Sequence, residues 1–417
     1  MLFLRLACLL LLLRCCSCPW AAAQSPKRVF TFEKPGQQKV RMRFQMQRNL
    51  IIVSAQLNGS GPYNFLLDTG VSSSLITNPR LADSLHLRRG QLFRVVGAGG
   101  EATGLLAYQS DSIRLTMPGV VAPAMSMLVL SEDVLNLSGY VGMPIHGILG
   151  AELFQSFVVS LMPHSGQMTL ADPSSFVLPR NKQWSAVPLA IEAGKAYLTV
   201  PVTLTDSATV PLKLVLDTGA GHALSIETDS DPSLHLPTQR IPADLGRGIT
   251  GVVRGYLGRV ARMQLGRYRL RSVLTSFPAA ADVHSRVSVP RNGNIGFELL
   301  KRFSLIIDYP HQRLLLRPNM HVTEPFEHDM CGLDLLATGA DFRRYVVLRV
   351  VPGSPAASAG LAANDELVAI NLAPASLFSL TELSRLLHSD DGRVLYMVLR
   401  RADGELYTAQ VRLKRQI

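Results

Sequence analysis

Asn64-Phe65-Leu66-Leu67-Asp68-Thr69-Gly70 returns 149 residues later as Lys213-Leu214-Val215-Leu216-Asp217-Thr218-Gly219. A second pair keeps step with the first. Gly147-Ile148-Leu149-Gly150-Ala151-Glu152-Leu153 is matched by Gly293-Asn294-Ile295-Gly296-Phe297-Glu298-Leu299, and the turn glycines Gly150 and Gly296 lie 82 and 79 residues beyond the two aspartates. Each copy then runs through a phenylalanine (Phe157, Phe303) into an aliphatic stretch, 158–161 and 304–308. One Asp-Thr-Gly occurs by chance in about one chain in ten of this length. Two copies in matching surroundings mark a tandem duplication, with 173–181 as the linker.

Within each copy the pattern is that of short strands. Leu50–Leu57 and residues 63–67 flank Asn58-Gly59-Ser60-Gly61-Pro62, a hairpin signal, and 196–204 and 210–216 take the same places around 205–209. Helical periodicity is confined to a turn or two at 152–156 and 298–302. The repeated tripeptide has a coherent chemistry. An aliphatic strand reaches a buried floor, and the aspartate at its end directs a carboxylate into a cleft. The threonine hydroxyl can bond the opposite copy, and the glycine permits a tight turn and close backbone approach. Two such carboxylates facing each other share one proton, because two adjacent charges are costly to ionise together. A water between them then has a base on one side and an acid on the other.

These motifs make residues 45–320 resemble two fused retropepsin-like aspartic protease lobes, a one-chain version of a homodimer. The resemblance implies Asp68 and Asp217 as the catalytic pair, supported by Thr69, Gly70, Thr218 and Gly219. It also implies a glycine-rich flap in each lobe: Gly97, Ala98, Gly99 and Gly100 in the first, and Gly248, within Gly246-Arg247-Gly248-Ile249-Thr250-Gly251, in the second. Ordinary hairpin loops are the competing reading of both stretches. Val71 and Asn294 depart from the family pattern, where Ala or Ser and an aliphatic residue are expected, without deleting a required group. His222 reads as a loop histidine or as a cleft-lining one. No HExxH, phosphate-binding loop or serine nucleophile elbow is present, so no metal and no cofactor is expected.

Beyond Pro325 a separate unit begins. Ser354 and Pro355 open a short helix that Gly360 ends, Ser379-Leu380-Thr381-Glu382 is a capping box, and 394–399 with 406–413 form a hairpin around Asp403-Gly404. This segment resembles a PDZ domain of the bacterial type. Gly332, Leu333, Asp334 and Leu335 match its carboxylate-binding loop, with Asp334 where glycine is typical, a negative charge that opposes capture of a free C-terminus. Peptide binding and a purely structural role both stay open.

The remaining signals concern compartment and partners. Arg5, the apolar run 6–13 and the small residues before Gln24 have the form of a secretory signal peptide. A lipid-bearing Cys18 and an uncleaved anchor are the alternatives. Four of the five cysteines lie in that segment, which leaves Cys331 alone and no internal disulfide. The chain of 417 residues is 47% hydrophobic and carries a net charge of +11, yet has no basic run longer than two residues. Nucleic acid is therefore not an expected partner, and disorder and collagen-like architecture are excluded. The expectation is a mainly β protein with a signal peptide at 1–23, lobes at 24–175 and 176–322 forming one cleft, and an α+β PDZ-like domain at 323–417. It would be a monomeric aspartic endopeptidase, exported to periplasm, cell envelope or medium, with peptide or protein substrates and no transmembrane span in the mature chain. The alternative is an inactive peptide-binding or cell-envelope scaffold protein.

Overall fold

The computed structural model describes residues 28–95, 97–99, 104–204, 208–283 and 289–417. The leader-like segment and Gly100 lie outside the described residues. Strands dominate, and the duplication seen in the sequence is repeated in the sheets.

In the first lobe, Leu50–Leu57 pairs with Ser60–Leu67 across a two-residue turn, Asn58 and Gly59, at φ +50 and +81. That conformation matches the right-handed twist of the paired strands, which is why Asn-Gly forms the turn. Ser60–Leu67 then runs parallel to Gly147–Leu149, followed in the sheet by Leu75–Ile76, Val120–Leu130 and Leu105–Met117. Leu105–Met117 closes back on Leu50–Leu57 and carries Leu92–Val95 on its far side. The second lobe repeats the path: Lys195–Thr203, Thr209–Leu216, Gly293–Ile295, Leu224–Ile226, Tyr268–Pro278, Gly251–Leu265 and Arg240–Gly248. Its Lys195–Thr203 and Gly251–Leu265 also pair.

The two aliphatic stretches after Phe157 and Phe303 have a joint role. Val158–Met162 and Phe303–Asp308 pair antiparallel, with Ser160 opposite Ile306, at the centre of a six-stranded sheet. Lys39–Arg43 and Ser185–Pro188 form the edges of that sheet. It binds the copies into one body. A continuous apolar core runs from Phe65, Leu67 and Phe154 through Leu161 and Leu305 to Leu214, Leu216 and Phe297.

The C-terminal unit has its own core around Tyr345, Leu367, Leu383 and Leu395. Its sheet runs Leu333–Thr338, Arg344–Val350, Glu366–Ile370, Val394–Arg400 and Leu406–Arg412, with the helix Leu380–Leu387 packed on the first strand. The capping box forms: Ser379 Oγ accepts from the N–H of Glu382, and the Glu382 carboxylate accepts from the N–H of Ser379. The junction to this unit is fixed by Arg302, which is 1% exposed. Its guanidinium donates to the carbonyls of Glu324 and Pro325 and lies 3.6 Å from the Phe326 ring centroid. Among the described residues no helix is long and apolar enough to cross a membrane.

Candidate active site

Each Asp-Thr-Gly sits at the end of a strand held by a parallel neighbour. The N–H of Asp68 donates to the carbonyl of Leu149 at 2.9 Å, and that of Asp217 to Ile295 at 3.0 Å. These two bonds tie each aspartate's backbone to the strand that precedes the glycine turn of its own lobe.

Beneath the carboxylates the threonines cross. The N–H of Thr69 donates to Thr218 Oγ1 at 3.1 Å, and the N–H of Thr218 to Thr69 Oγ1 at 3.0 Å. The hydroxyls then donate onward, Thr69 to the carbonyl of Leu216 (2.6 Å) and Thr218 to that of Leu67 (2.8 Å). Both threonines are fully buried. Four backbone polar groups are satisfied across the lobe interface in this way.

The carboxylates of Asp68 and Asp217 flank one point: a Cβ on Gly70 would lie 2.9 Å from Asp217 Oδ1 and 3.0 Å from Asp68 Oδ1. Burial first, and the Asp217 charge second, push the Asp68 carboxyl up to about 8, against the N–H of Gly70 and the charge of Lys195. Gly70 and Gly219 are required for room. A Cβ on Gly219 would lie 2.1 Å from Asp68 Cγ, and one on Gly70 2.9 Å from Asp217 Cγ. Each glycine faces the opposite carboxylate.

The two halves are not equivalent. Asn294, opposite Val215 in the second lobe, takes the place of Ile148, opposite Leu66 in the first. Its Nδ2 donates to Asp217 Oδ2 at 2.7 Å, and its Oδ1 accepts from His222 Nε2 at 3.2 Å. The departure from the aliphatic pattern at 294 therefore adds a donor to one aspartate alone. His222 is the second member of that chain, and burial lowers its pKa despite the Asp217 charge. In the first lobe the polar contact lies elsewhere: the Glu152 carboxylate accepts from the N–H and Oγ of Ser74, both at 2.8 Å. Sequence reading missed Lys195, whose charge acts on both aspartates; only its position opening the repeated strand could have signalled it.

The two glycine-rich stretches meet. Gly97, Ala98 and Gly99 follow the strand Leu92–Val95, and Gly248 ends Arg240–Gly248 at the tip of a long hairpin. Thr250, at that tip, donates from its hydroxyl to the carbonyl of Gly97 (2.8 Å) and from its N–H to that of Ala98 (3.1 Å). Ile249 packs with Val71 and Ile148 in the apolar wall of the first lobe.

In the C-terminal unit the amides of the expected carboxylate-binding loop already have a partner. The N–H groups of Cys331, Gly332 and Leu333 donate to the Asp329 carboxylate, whose pKa burial still pushes up to about 6. Asp334 pairs with Arg349 at 2.8 Å, and Arg349 also reaches Asp244 of the second-lobe hairpin at 3.3 Å. Leu335 lies in the outer strand.

Residues 53–153 match the family of aspartyl proteases, and residues 346–401 match the PDZ domain. The chain carries an aspartyl protease domain and a PDZ domain. Among solved structures, a photosystem II D1 C-terminal processing protease is 29% identical over 20% of this chain and 22% of its own length, with a TM-score of 0.19. The chain thus spans about a fifth of that protein. Among curated proteins none matches.

Proposed function

We infer that the chain is an exported aspartic endopeptidase in which Asp68 and Asp217 activate a water against an extended peptide. The observation that carries the reading is the juxtaposition of the two carboxylates, each against the glycine of the opposite loop, above the crossed threonine bonds. Thr69, Gly70, Thr218 and Gly219 hold that geometry, and the hairpin tips around Gly97, Ala98, Gly99 and Gly248 act as the flaps.

The asymmetry assigns the roles. Asp217, with the Asn294 and Gly219 N–H groups donating to it, carries the charge and takes a proton from the water. Asp68 carries the shared proton and donates it to the substrate carbonyl oxygen as the hydroxide adds to the carbon. The proton taken by Asp217 then passes to the departing amide nitrogen and the C–N bond breaks, while the diol returns one hydroxyl proton to Asp68 and collapses to a carboxylic acid, which restores the starting state of the pair. The single proton is retained by Asp68 up to about 8. The working range is then shifted upward from the acidic optimum that proton sharing alone suggests.

Export rests on the leader-like residues 1–23, and the PDZ domain would supply peptide or protein recruitment. The test is cleavage of a peptide library by the purified chain, with and without a statine-type transition-state mimic. Asp68→Asn or Asp217→Asn should each lower turnover at least about a thousandfold, roughly 4 kcal/mol of barrier. Retention of most activity in either variant refutes the assignment.

A further inference from the structure

The strand Leu333–Thr338 is the outer strand of the PDZ sheet, and the helix Leu380–Leu387 lies beside it. Such an edge next to a helix accepts an extended peptide as one more strand. Here that groove is filled from the first lobe. The helix Leu137–Val141 lies along Leu333–Thr338. A Cβ on Gly139 would stand 3.0 Å from Leu336 Cδ1 and 3.1 Å from the Ala337 carbonyl oxygen. One on Gly142, at φ +84, would stand 2.8 Å from Leu380 Cβ and 3.8 Å from Ala337 Cβ. Gly142 is therefore wedged between the strand and the helix, with no space for a side chain. The turn that precedes Leu50–Leu57 completes the cover. The N–H of Arg48 donates to Thr381 Oγ1 (3.1 Å), Thr381 donates to Gln47 Oε1 (2.6 Å), and the Arg48 guanidinium bridges the Tyr140 carbonyl of its own lobe (3.2 Å) and the Leu335 carbonyl of the PDZ strand (3.5 Å).

We propose that the first lobe holds the PDZ groove shut through Gly139, Gly142 and Arg48, and that an internal, extended stretch of a protein partner opens it by displacing the Leu137–Val141 helix. This rests on the peptide-recruitment reading of the PDZ domain and is independent of the chemistry at the aspartates. Three observations carry it. The contact is separable, because Leu137 and Val141 pack their apolar side chains in the first-lobe cluster, and the bonds that cross to the PDZ face are polar ones to Thr381 and the Leu335 carbonyl. The ligand is an internal stretch, because Asp329 fills the amide nest that a terminal carboxylate would need. The contact also reaches the cleft: the segment around Leu137 and Val141 packs in one cluster with Val71, Ile148 and the hairpin-tip residue Ile249. On the other side, Arg349 ties the PDZ sheet to Asp244 in the same hairpin.

The experiment uses the full chain in an Asp68→Asn background, so that probes are not cut. The probe is an array of 12-residue peptides, all with amidated C-termini. Arg48→Ala/Gly142→Ala removes the guanidinium bond to the Leu335 carbonyl and forces a methyl group against Leu380, and should bind the array at least tenfold more tightly than the parent. Should that variant fail to fold by circular dichroism, Arg48→Ala/Thr381→Val cuts the polar bonds without adding bulk. In the parent chain, saturating the best peptide should slow amide exchange in Leu333–Thr338 and speed it in Leu137–Val141. Equal affinity in parent and folded variant overturns the proposal, as does binding by neither. Peptide protection of the strand without faster exchange in the lobe helix overturns it too.

Discussion

Replacing Asn294 by leucine tests the asymmetry of the aspartate pair with a side chain of similar volume, and it makes the second lobe resemble the first, where Ile148 stands. The change removes the 2.7 Å bond from Asn294 Nδ2 to Asp217 Oδ2. A hydrogen bond to a charged group is worth about 1.5–3 kcal/mol. The lost donor favoured the ionised form of the pair, so its removal makes first ionisation more costly. At 1.36 kcal/mol per unit, the acid limb of the pH–rate profile should move up by about one to two pH units. The alkaline limb, set by loss of the proton that burial and Asp217 hold on Asp68 to about 8, should move much less. Turnover below the acid limb should then fall about 10- to 100-fold while activity near neutrality stays within a few-fold. Steady-state cleavage of one fluorogenic peptide from pH 3 to 9, by parent and variant, reads this directly. The variant also leaves His222 Nε2 without its acceptor, a cost of about 1 kcal/mol that a denaturant titration separates from the kinetic effect. A uniform loss at every pH, with the limb unmoved, refutes the argument: Asn294 would then be a packing residue.

Two further outcomes follow from the same geometry. Gly219→Ala should lower turnover about a hundredfold, because its Cβ would lie 2.1 Å from Asp68 Cγ and must push that carboxylate aside. Gly70→Ala, facing Asp217 Cγ at 2.9 Å, should cost clearly less, and equal losses would contradict the positions. Stability should respond to pH through Asp68. Its folded pKa is raised, so between about 4 and 8 the unfolded chain has lost a proton that the folded chain keeps, and stability falls as pH rises through that window. Asp68→Asn lacks this penalty. It should match the parent near pH 4 and exceed it by about 2–4 kcal/mol at pH 7 in urea titrations; a gain of the same size at both values would exclude the shared proton.

The duplicated Asp-Thr-Gly and its trailing glycine turn were legible because they are local: a strand, a carboxylate and a turn are specified by adjacent residues. The Asn58-Gly59 hairpin and the Ser379-Glu382 capping box belong to the same class, since their hydrogen bonds close within four residues. The crossed threonines could be anticipated from the family resemblance, but their partners lie 149 residues apart and only the paired lobes bring them together. Asn294 read as a blemish in an aliphatic pattern, because nothing in its neighbourhood says that position 294 stands beside Asp217, 77 residues away. Asp334 read as an obstacle to a terminal carboxylate, whereas the fold uses it on Arg349 and gives the loop amides to Asp329. Tertiary structure alone decided what faces the PDZ groove. Gly142 is unremarkable in sequence, and it matters because a helix more than 200 residues downstream closes on it, leaving no space for a Cβ beside Leu380. Residue identity sets which bonds an atom can make; the folded path sets which atoms are near enough to make them.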